Sequence, residues 1–446
     1  MLKPLNCLSD HHSSIIIHKS IPMLLRHLYS TALYLLTPLY LAYLYWRGRR
    51  APAYRDRWAE RFGYYDLEAK DGPIWIHAVS VGEAQAALPM IQKLKERFPN
   101  HPVLVTTTTP TGSARIKESL GDEVMHVYAP YDVPCAVDRF MKAMKPSIAI
   151  FMETEIWPNI IHACTTGNVP VVLANARMSQ RSANGYAKLG GFMRQVMSQI
   201  NLVAAQSQDD AARLIGLGAK LEAVHVTGSV KFDMHLPASI KEQGEVLRRD
   251  WGVNRSIWIA ASTRQGEDEQ ILDAFAQVCH ARPEALLVLV PRHPERFDSV
   301  AALCEKRGYK IQRRSEHKPC DDEVDIYLGD TMGDLTLFYA AADIAFIGGS
   351  LVQTGGQNPI EAAALGLPVI MGPSLYNFSE VTRMLREREA LTIVNDSEQL
   401  AATVLDYLRD PTLRGKHSEN AYAVVQRNRG AMDRLLILID EKVSMS

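Results

Sequence analysis

The chain is poor in several features that would point to particular chemistries. Its six cysteines, at 7, 135, 164, 279, 304 and 320, include no C-x-x-C pair. That spacing argues against a disulfide framework and a zinc site, and it suits a reducing compartment. Charge of one sign is also missing: 49 Lys and Arg face 50 Asp and Glu, a formal net charge of -1. Nothing attracts nucleic acid globally, and no basic aromatic stripe does so locally. No Gly-Lys-Ser/Thr follows a glycine-rich loop, which excludes a Walker site. No two aspartates are separated by a single residue, so a metal-bridged sugar nucleotide on an Asp-x-Asp loop has no support. Neither a metal nor a cofactor is expected, and any phosphate charge must be offset by cationic side chains and helix ends.

What is present divides the chain. At 446 residues, 47% hydrophobic and 22% charged, it is a globular protein of two or three domains. One segment departs from that composition: from Leu28 to Trp46 nineteen residues carry no charge, enough to cover roughly 30 Å as a helix. Its tyrosines, Trp46 and the mid-run Pro38 also fit a helix lying in a membrane interface. Six arginines against two acids follow in RGRRAPAYRDRWAER, 47–61, a flank that predicts a cytoplasmic body. These arginines, with Arg177 and Arg181, are candidates for lipid phosphates or are only a topology signal. The stretch 1–22 is expected to be irregular, with Met23 an alternative start.

From residue 73 short β-branched runs alternate with helix-length segments. IWIHAV (74–79), VLVTTTT (103–109), MHVYAP (125–130), SIAIFME (147–153), VPVVLANA (169–176), NLVAAQ (201–206) and AVHVTGS (223–229) read as strands. The pattern restarts at IWIAASTRQGE (257–267), which parallels IWIHAVSVGE (74–83), and continues through ALLVLVPRHP, EVDIYLGDTMG, DIAFIGGS and LPVIMGP. The expected fold class is α/β: two Rossmann-like, doubly wound domains facing a central cleft, with ligands beyond the carboxyl ends of the strands. The boundaries expected are 1–22 for the extension, 23–50 for the anchor and its flank, 51–230 and 231–417 for the two domains, and 418–446 for a helical segment packing back across them.

Candidate chemistry lies at the strand ends. Glu83 follows a glycine where a strand turns into a helix; it is either a first-turn cap or an acid–base group. Glu153 and Glu155 close an apolar strand, and Lys231 sits in GSVKFD at the domain junction. In the second half Pro291-Arg292 and Met332-Gly333-Asp334 follow strands, and glycines 348, 349, 355 and 356 offer backbone N–H groups to an anion. Asn358-Pro359-Ile360-Glu361 then opens a helix in capping-box style, and Glu361 either closes that cap or faces a ligand.

HAVSVGE, TTTTPTGS, METEIWPN, ANARMSQRS, TGSVKFD, VPRHPERF, GDTMGDL and GGSLVQTGGQNPIEAAALG together resemble the 3-deoxy-D-manno-octulosonic acid (Kdo) transferases, from about Met23 to near the C-terminus. The resemblance implies a GT-B fold, CMP-Kdo as donor, a lipid A precursor (lipid IVA) as acceptor, and the cytoplasmic face of the inner membrane. It implies Glu83 as general base, Glu153 and Lys231 as transition-state stabilisers, and CMP contacts from Pro291, Arg292, Met332, Gly333, Asp334, Asn358, Pro359, Ile360 and Glu361. Asp334 stands where the family pattern has Glu. The alternatives are another GT-B sugar-nucleotide enzyme, separable by titrating CMP against UDP, and a non-catalytic sugar-nucleotide-binding membrane protein.

Overall fold

The computed structural model describes residues 10–49, 52–67, 69, 72–233 and 236–443. They form two units, Met1–Asp233 with Gly430–Ser446, and Met234–Arg429. In unit 1 the described strands are β1 (Ile74–His77), β2 (Val103–Thr107), β3 (Met125–Tyr128), β4 (Ile148–Met152), β5 (Val171–Ala176), β6 (Leu202–Ala205) and β7 (Val224–Val226). All pair in parallel, in the order β3-β2-β1-β4-β5-β6-β7. Helices cover both faces, so the inner strands read as continuous apolar runs and every residue of β1, β2, β4, β5 and β6 is buried. Strand order reverses between β1 and β4, where Ile74 pairs with Ile148 and His77 with Phe151. The crevice at such a switch point is where doubly wound sheets bind ligands.

Unit 2 repeats the plan with β8 (Ile257–Thr263), β9 (Leu286–Pro291), β10 (Ile311–Arg313), β11 (Ile326–Leu328), β12 (Ile344–Ile347), β13 (Val369–Met371) and β14 (Leu391–Ile393). The order is β10-β11-β9-β8-β12-β13-β14, again all parallel, with the reversal between β8 and β12. The two Ile-Trp-Ile strands, β1 and β8, therefore hold the same place, beside the switch point of their own sheet.

Helix Ala431–Val443 belongs to unit 1. Its Met432, Leu435, Leu436 and Ile439 are buried in one core with Ala87, Met90, Ile91 and Leu94 of helix Val81–Arg97. Asp233 fixes the return, accepting the Gly430 and Met432 N–H groups, and Gly430 takes φ 82°, a conformation open to glycine.

A helix runs from Asp10 to Arg47, entering the stretch expected to be irregular because no Gly or Pro interrupts residues 10–21. Residues 1–9 lie outside the described residues. No helix among the described residues is long and apolar enough to cross a membrane. One face of this helix is instead docked on unit 1. The Tyr29 hydroxyl donates to Asp132 at 2.9 Å, the Ser30 hydroxyl to Asn159 at 3.1 Å, and Tyr40 stacks edge-on against Tyr131. Leu35 and Leu39, on the other side, are 72% and 68% exposed. The basic flank is partly structural as well. Arg57 pairs with Glu60, buried Arg61 lies over Tyr128, and Arg55 is bound to the Tyr45 carbonyl. Arg49 is exposed, and Arg50 lies outside the described residues.

Candidate active site

The turn after β1 is a reciprocal cap. Ser80 is the N-cap of helix Val81–Arg97: its hydroxyl accepts from the Glu83 N–H at 3.3 Å and donates to the Glu83 carboxylate at 2.8 Å. The other carboxylate oxygen accepts the Val79 N–H at 2.8 Å. The capping reading of Glu83 is therefore met, and it does not exclude the acid–base reading, since a capping carboxylate can also be a proton acceptor. Burial, and after it the negative charge of Glu155, pushes Glu83 up to about 7, against the opposing hydrogen bonds from Ser80 and Val79; Glu153 adds a smaller upward push. A carboxyl poised near neutrality in this way is suited to exchange protons at physiological pH.

Glu153 directly follows β4, the neighbour of β1 across the switch point. It is buried, and at φ 56° it lies in the left-handed region that non-glycine residues rarely occupy. Such strain persists where surroundings fix it, and it clusters at functional sites. Two cations do the fixing: Lys231 Nζ lies 3.0 Å from one carboxylate oxygen and Arg177 Nε 2.8 Å from the other. Lys231 is delivered by the turn Val230–Phe232, whose first N–H donates to buried Asn175 at the end of β5. Glu155 is held by the Trp157 indole N–H at 2.6 Å. Trp157 in turn packs edge-on against His77, a fully buried imidazole that desolvation lowers to about 3, so it stays neutral. Glu83, Glu153 and Lys231, three residues expected from the sequence, therefore form one electrostatic group with Glu155 and Arg177.

In unit 2 the glycine-rich loop does not behave as expected. The Gly349, Ser350 and Leu351 N–H groups all point at the carboxylate of Glu267, which also accepts the Arg264 N–H. Glu267 is fully buried. The Gly355 N–H goes to Ser374 and that of Gly356 to the Gly349 carbonyl. The nest at this switch point thus holds the protein's own anion, and Glu267 occupies in β8's turn the place that Glu83 occupies in β1's. The helix after the loop runs only from Ile360 to Ala364, one residue later than expected and too short for a substantial dipole. The N-cap position falls on Pro359 and not on Asn358, which from one residue earlier accepts the Ile360 N–H at 3.0 Å and donates to Glu361 at 3.2 Å, while Pro359 and Ile360 are buried. Burial raises the Glu361 carboxyl, with Asn358 and the charge of Arg292 opposing.

Arg292, exposed at the end of β9, follows Pro291, the strand's last residue. Met332 is exposed and Gly333 takes φ 96°, but the Asp334 carboxylate is occupied by Arg314 at 3.0 Å and the Thr331 hydroxyl at 2.8 Å. The shorter acid is accommodated in this pairing, leaving the Met332–Asp334 backbone as the part able to meet a ligand. Sequence reasoning missed Arg177 as the second partner of Glu153, and it missed Arg264 and Glu267. Arg264 carried a usable signal, because it follows its strand as Arg292 does; the role of Glu267 rests on a contact 82 residues away.

Two doubly wound, parallel-sheet units define a class by architecture, the two-domain α/β proteins of GT-B type. The family model for glycosyl transferases group 1 matches residues 259–424, and that for 3-Deoxy-D-manno-octulosonic-acid transferase (kdotransferase) matches residues 56–234. A UDP-GlcNAc 2-epimerase from Neisseria meningitidis shares the fold, with a TM-score of 0.55 at 15% identity, covering 84% of this chain and 100% of its own. Sequence is more specific. A 3-deoxy-D-manno-octulosonic acid transferase from Haemophilus influenzae is 42% identical over 93% of this chain and 98% of its own length, and one from Bordetella pertussis is 38% identical over 93% and 99%. This chain belongs to the 3-deoxy-D-manno-octulosonic acid transferase family, and it is a glycosyltransferase.

Proposed function

We propose that the chain transfers Kdo from CMP-Kdo to lipid IVA with inversion at the anomeric carbon and without a metal. The observation that carries the mechanism is Glu83: a carboxylate raised to about 7, at the C-terminal edge of β1 next to the switch point. A sugar hydroxyl ionises far above neutrality, so its attack needs a positioned base. Glu83 takes the acceptor hydroxyl's proton as that oxygen bonds to the anomeric carbon. The bond from this carbon to the phosphate oxygen breaks, and its electron pair leaves with CMP. A single base acting in one displacement gives inversion.

Lys231, paired with Glu153, stabilises negative charge developing in the transition state, and Glu153, itself held by Arg177, keeps it in position. Unit 2 holds the nucleotide. Arg292 meets the phosphate, Asn358 and Glu361 receive the polar edges of the nucleoside, Pro291, Pro359 and Ile360 shape the pocket wall, and the Met332–Asp334 backbone closes the loop. Guanidinium groups take over the charge neutralisation that a metal supplies in other sugar-nucleotide sites.

A glycolipid acceptor stays in its bilayer, so the enzyme must work at the surface. The helix Asp10–Arg47 supplies the attachment: docked through Tyr29 and Ser30, it leaves Leu28, Leu35, Leu39 and Trp46 exposed on the other side. That exposed apolar side supports a helix lying in the interface, with Arg49 toward anionic headgroups on the cytoplasmic face of the inner membrane. The test is transfer itself: detergent-solubilised protein with CMP-Kdo and lipid IVA, products weighed by mass spectrometry. A product heavier by Kdo supports the reading, and folded, CMP-binding protein that yields none rejects it.

A further inference from the structure

Two strands of unit 2 end side by side in arginines. Thr263 of β8 is paired with Pro291 of β9, so Arg264 and Arg292 are the next residues beyond the sheet on adjacent strands. The Arg292 N–H is fixed to the Thr263 carbonyl at 3.0 Å, and the Arg264 N–H to Glu267 at 2.8 Å. A third cation, Arg296, is neutralised: it pairs with Asp268 and donates to the Thr263 carbonyl at 2.8 Å. The other two differ. Among the described residues neither Arg264 nor Arg292 has a carboxylate within ion-pair distance. The nearest acid to Arg264 along the chain, Glu267, has its oxygens committed to four backbone N–H groups.

Arg264 is nonetheless held in one pose. One of its terminal nitrogens bonds His293 Nε2, which must then be the unprotonated ring nitrogen, while Nδ1 faces Glu295 at 3.9 Å. Its Nε is buried and, among the described residues, has no hydrogen-bond partner. A buried guanidinium N–H without a partner costs on the order of 1–3 kcal/mol or more, and two neighbouring cations repel. Both costs are offset when a carboxylate or phosphate takes the fork. One anion is enough for Arg292. The second arginine implies a second anion on the same ligand.

Resting on the proposed donor, we propose that Arg264 is the receptor for the carboxylate of the activated sugar acid, with Arg292 on the phosphate. Unit 2 then reads its donor as a ligand with two separate anions. A neutral nucleotide-activated sugar would leave Arg264 unpaired, and this is how the site prefers a sugar acid over such a donor. His293 is a positioning residue that keeps the guanidinium fork directed at the carboxylate.

The measurement is made on the full chain in detergent, comparing KM for CMP-Kdo with Kd for CMP, which carries the phosphate but no sugar acid. R264Q should raise KM for CMP-Kdo by about 10- to 100-fold, the worth of a charge-assisted pair, and move Kd for CMP less than threefold. R292Q should weaken both. R264K, which keeps the charge without the fork, should lie between wild type and R264Q; it supplies the same ratio if R264Q does not fold. Equal loss of CMP and CMP-Kdo in R264Q would make Arg264 a second phosphate ligand, and no change in either would make it structural; each overturns the assignment. Wild-type protein that binds CMP but transfers no Kdo overturns the proposed function, and this inference with it.

Discussion

Glu83 is a cap by its hydrogen bonds and a base only in the proposed mechanism, and replacing it by Gln separates the two roles. Its carboxyl rises from 4.5 to about 7 in the fold, chiefly through burial. A raised acid binds its proton more tightly folded than unfolded, so its ionisation opposes folding. The cost is absent below about pH 4.5 and complete above about pH 7, where it amounts to on the order of 3 kcal/mol. Glu83→Gln keeps the shape and a carbonyl for the Val79 N–H but removes this cost. At pH 8 the variant should be more stable than wild type by about 1–3 kcal/mol, a rise of about 2–4 °C in melting temperature per kcal/mol, while at pH 4.5 the two should melt together. Transfer should behave in the opposite sense. Glu83→Gln should lose about 10²-fold or more in turnover with Kd for CMP unchanged, and the wild-type rate should climb with pH and level off near 7. The assays are scanning calorimetry at the two pH values and initial rates of Kdo transfer between pH 5.5 and 8.5. Turnover in Glu83→Gln within tenfold of wild type, or a flat wild-type profile through pH 7, would refute the base and leave only the cap.

Other consequences follow from single features. Glu267→Gln puts an amide where four N–H groups converge, and unit 2 should lose about 2–4 kcal/mol, read by denaturant titration; an unchanged midpoint would mean the nest does not depend on the charge. Leu35→Asp with Leu39→Asp places two charges on the exposed face of the long helix. With each leucine worth about 1.5–3 kcal/mol when buried in lipid, flotation with anionic vesicles should fall by more than tenfold, with no change in CMP binding. Leu435→Ala opens a cavity in the core of unit 1 and should cost about 2–5 kcal/mol; hydrogen exchange should show the loss in helix Val81–Arg97 and not in β8 or β9.

The strands of both sheets were legible because parallel strands covered on both faces are largely apolar, as in Ile74–Ile76 of β1 and in Leu286–Pro291. The two that escaped notice, Ile311–Arg313 and Leu391–Ile393, are three-residue edge strands whose partly buried residues leave no such run. In the candidate site the carboxylates stood out as acids closing apolar strands, but their partners did not. Arg177 reaches Glu153 from the loop after β5, and Glu267 fills a nest built by β12, contacts between segments far apart in sequence. Of the four glycines expected to offer N–H groups to an anion only Gly349 does so, to a carboxylate from elsewhere in the chain, while Gly348, Gly355 and Gly356 donate to Ala261, Ser374 and Gly349. The apolar run 28–46 hid a division that composition does not carry, since Tyr29 and Ser30 are spent on docking while Leu35 and Leu39 are left outside.

Because Ala431–Val443 completes a core begun by Val81–Arg97, the N-terminal unit is finished only after the whole of Met234–Arg429 has been synthesised. At about 5–20 residues per second, the intervening Met234–Arg429 takes on the order of 10–40 s to emerge. Throughout that interval Ala87, Met90, Ile91 and Leu94 have no covering helix, whereas unit 2 is one continuous stretch that can close on its own. The nascent chain therefore folds its second unit before it seals its first. A chain that stops before Ala431 carries an intact unit 2 joined to an N-terminal unit with an open core, a natural substrate for chaperones and proteases.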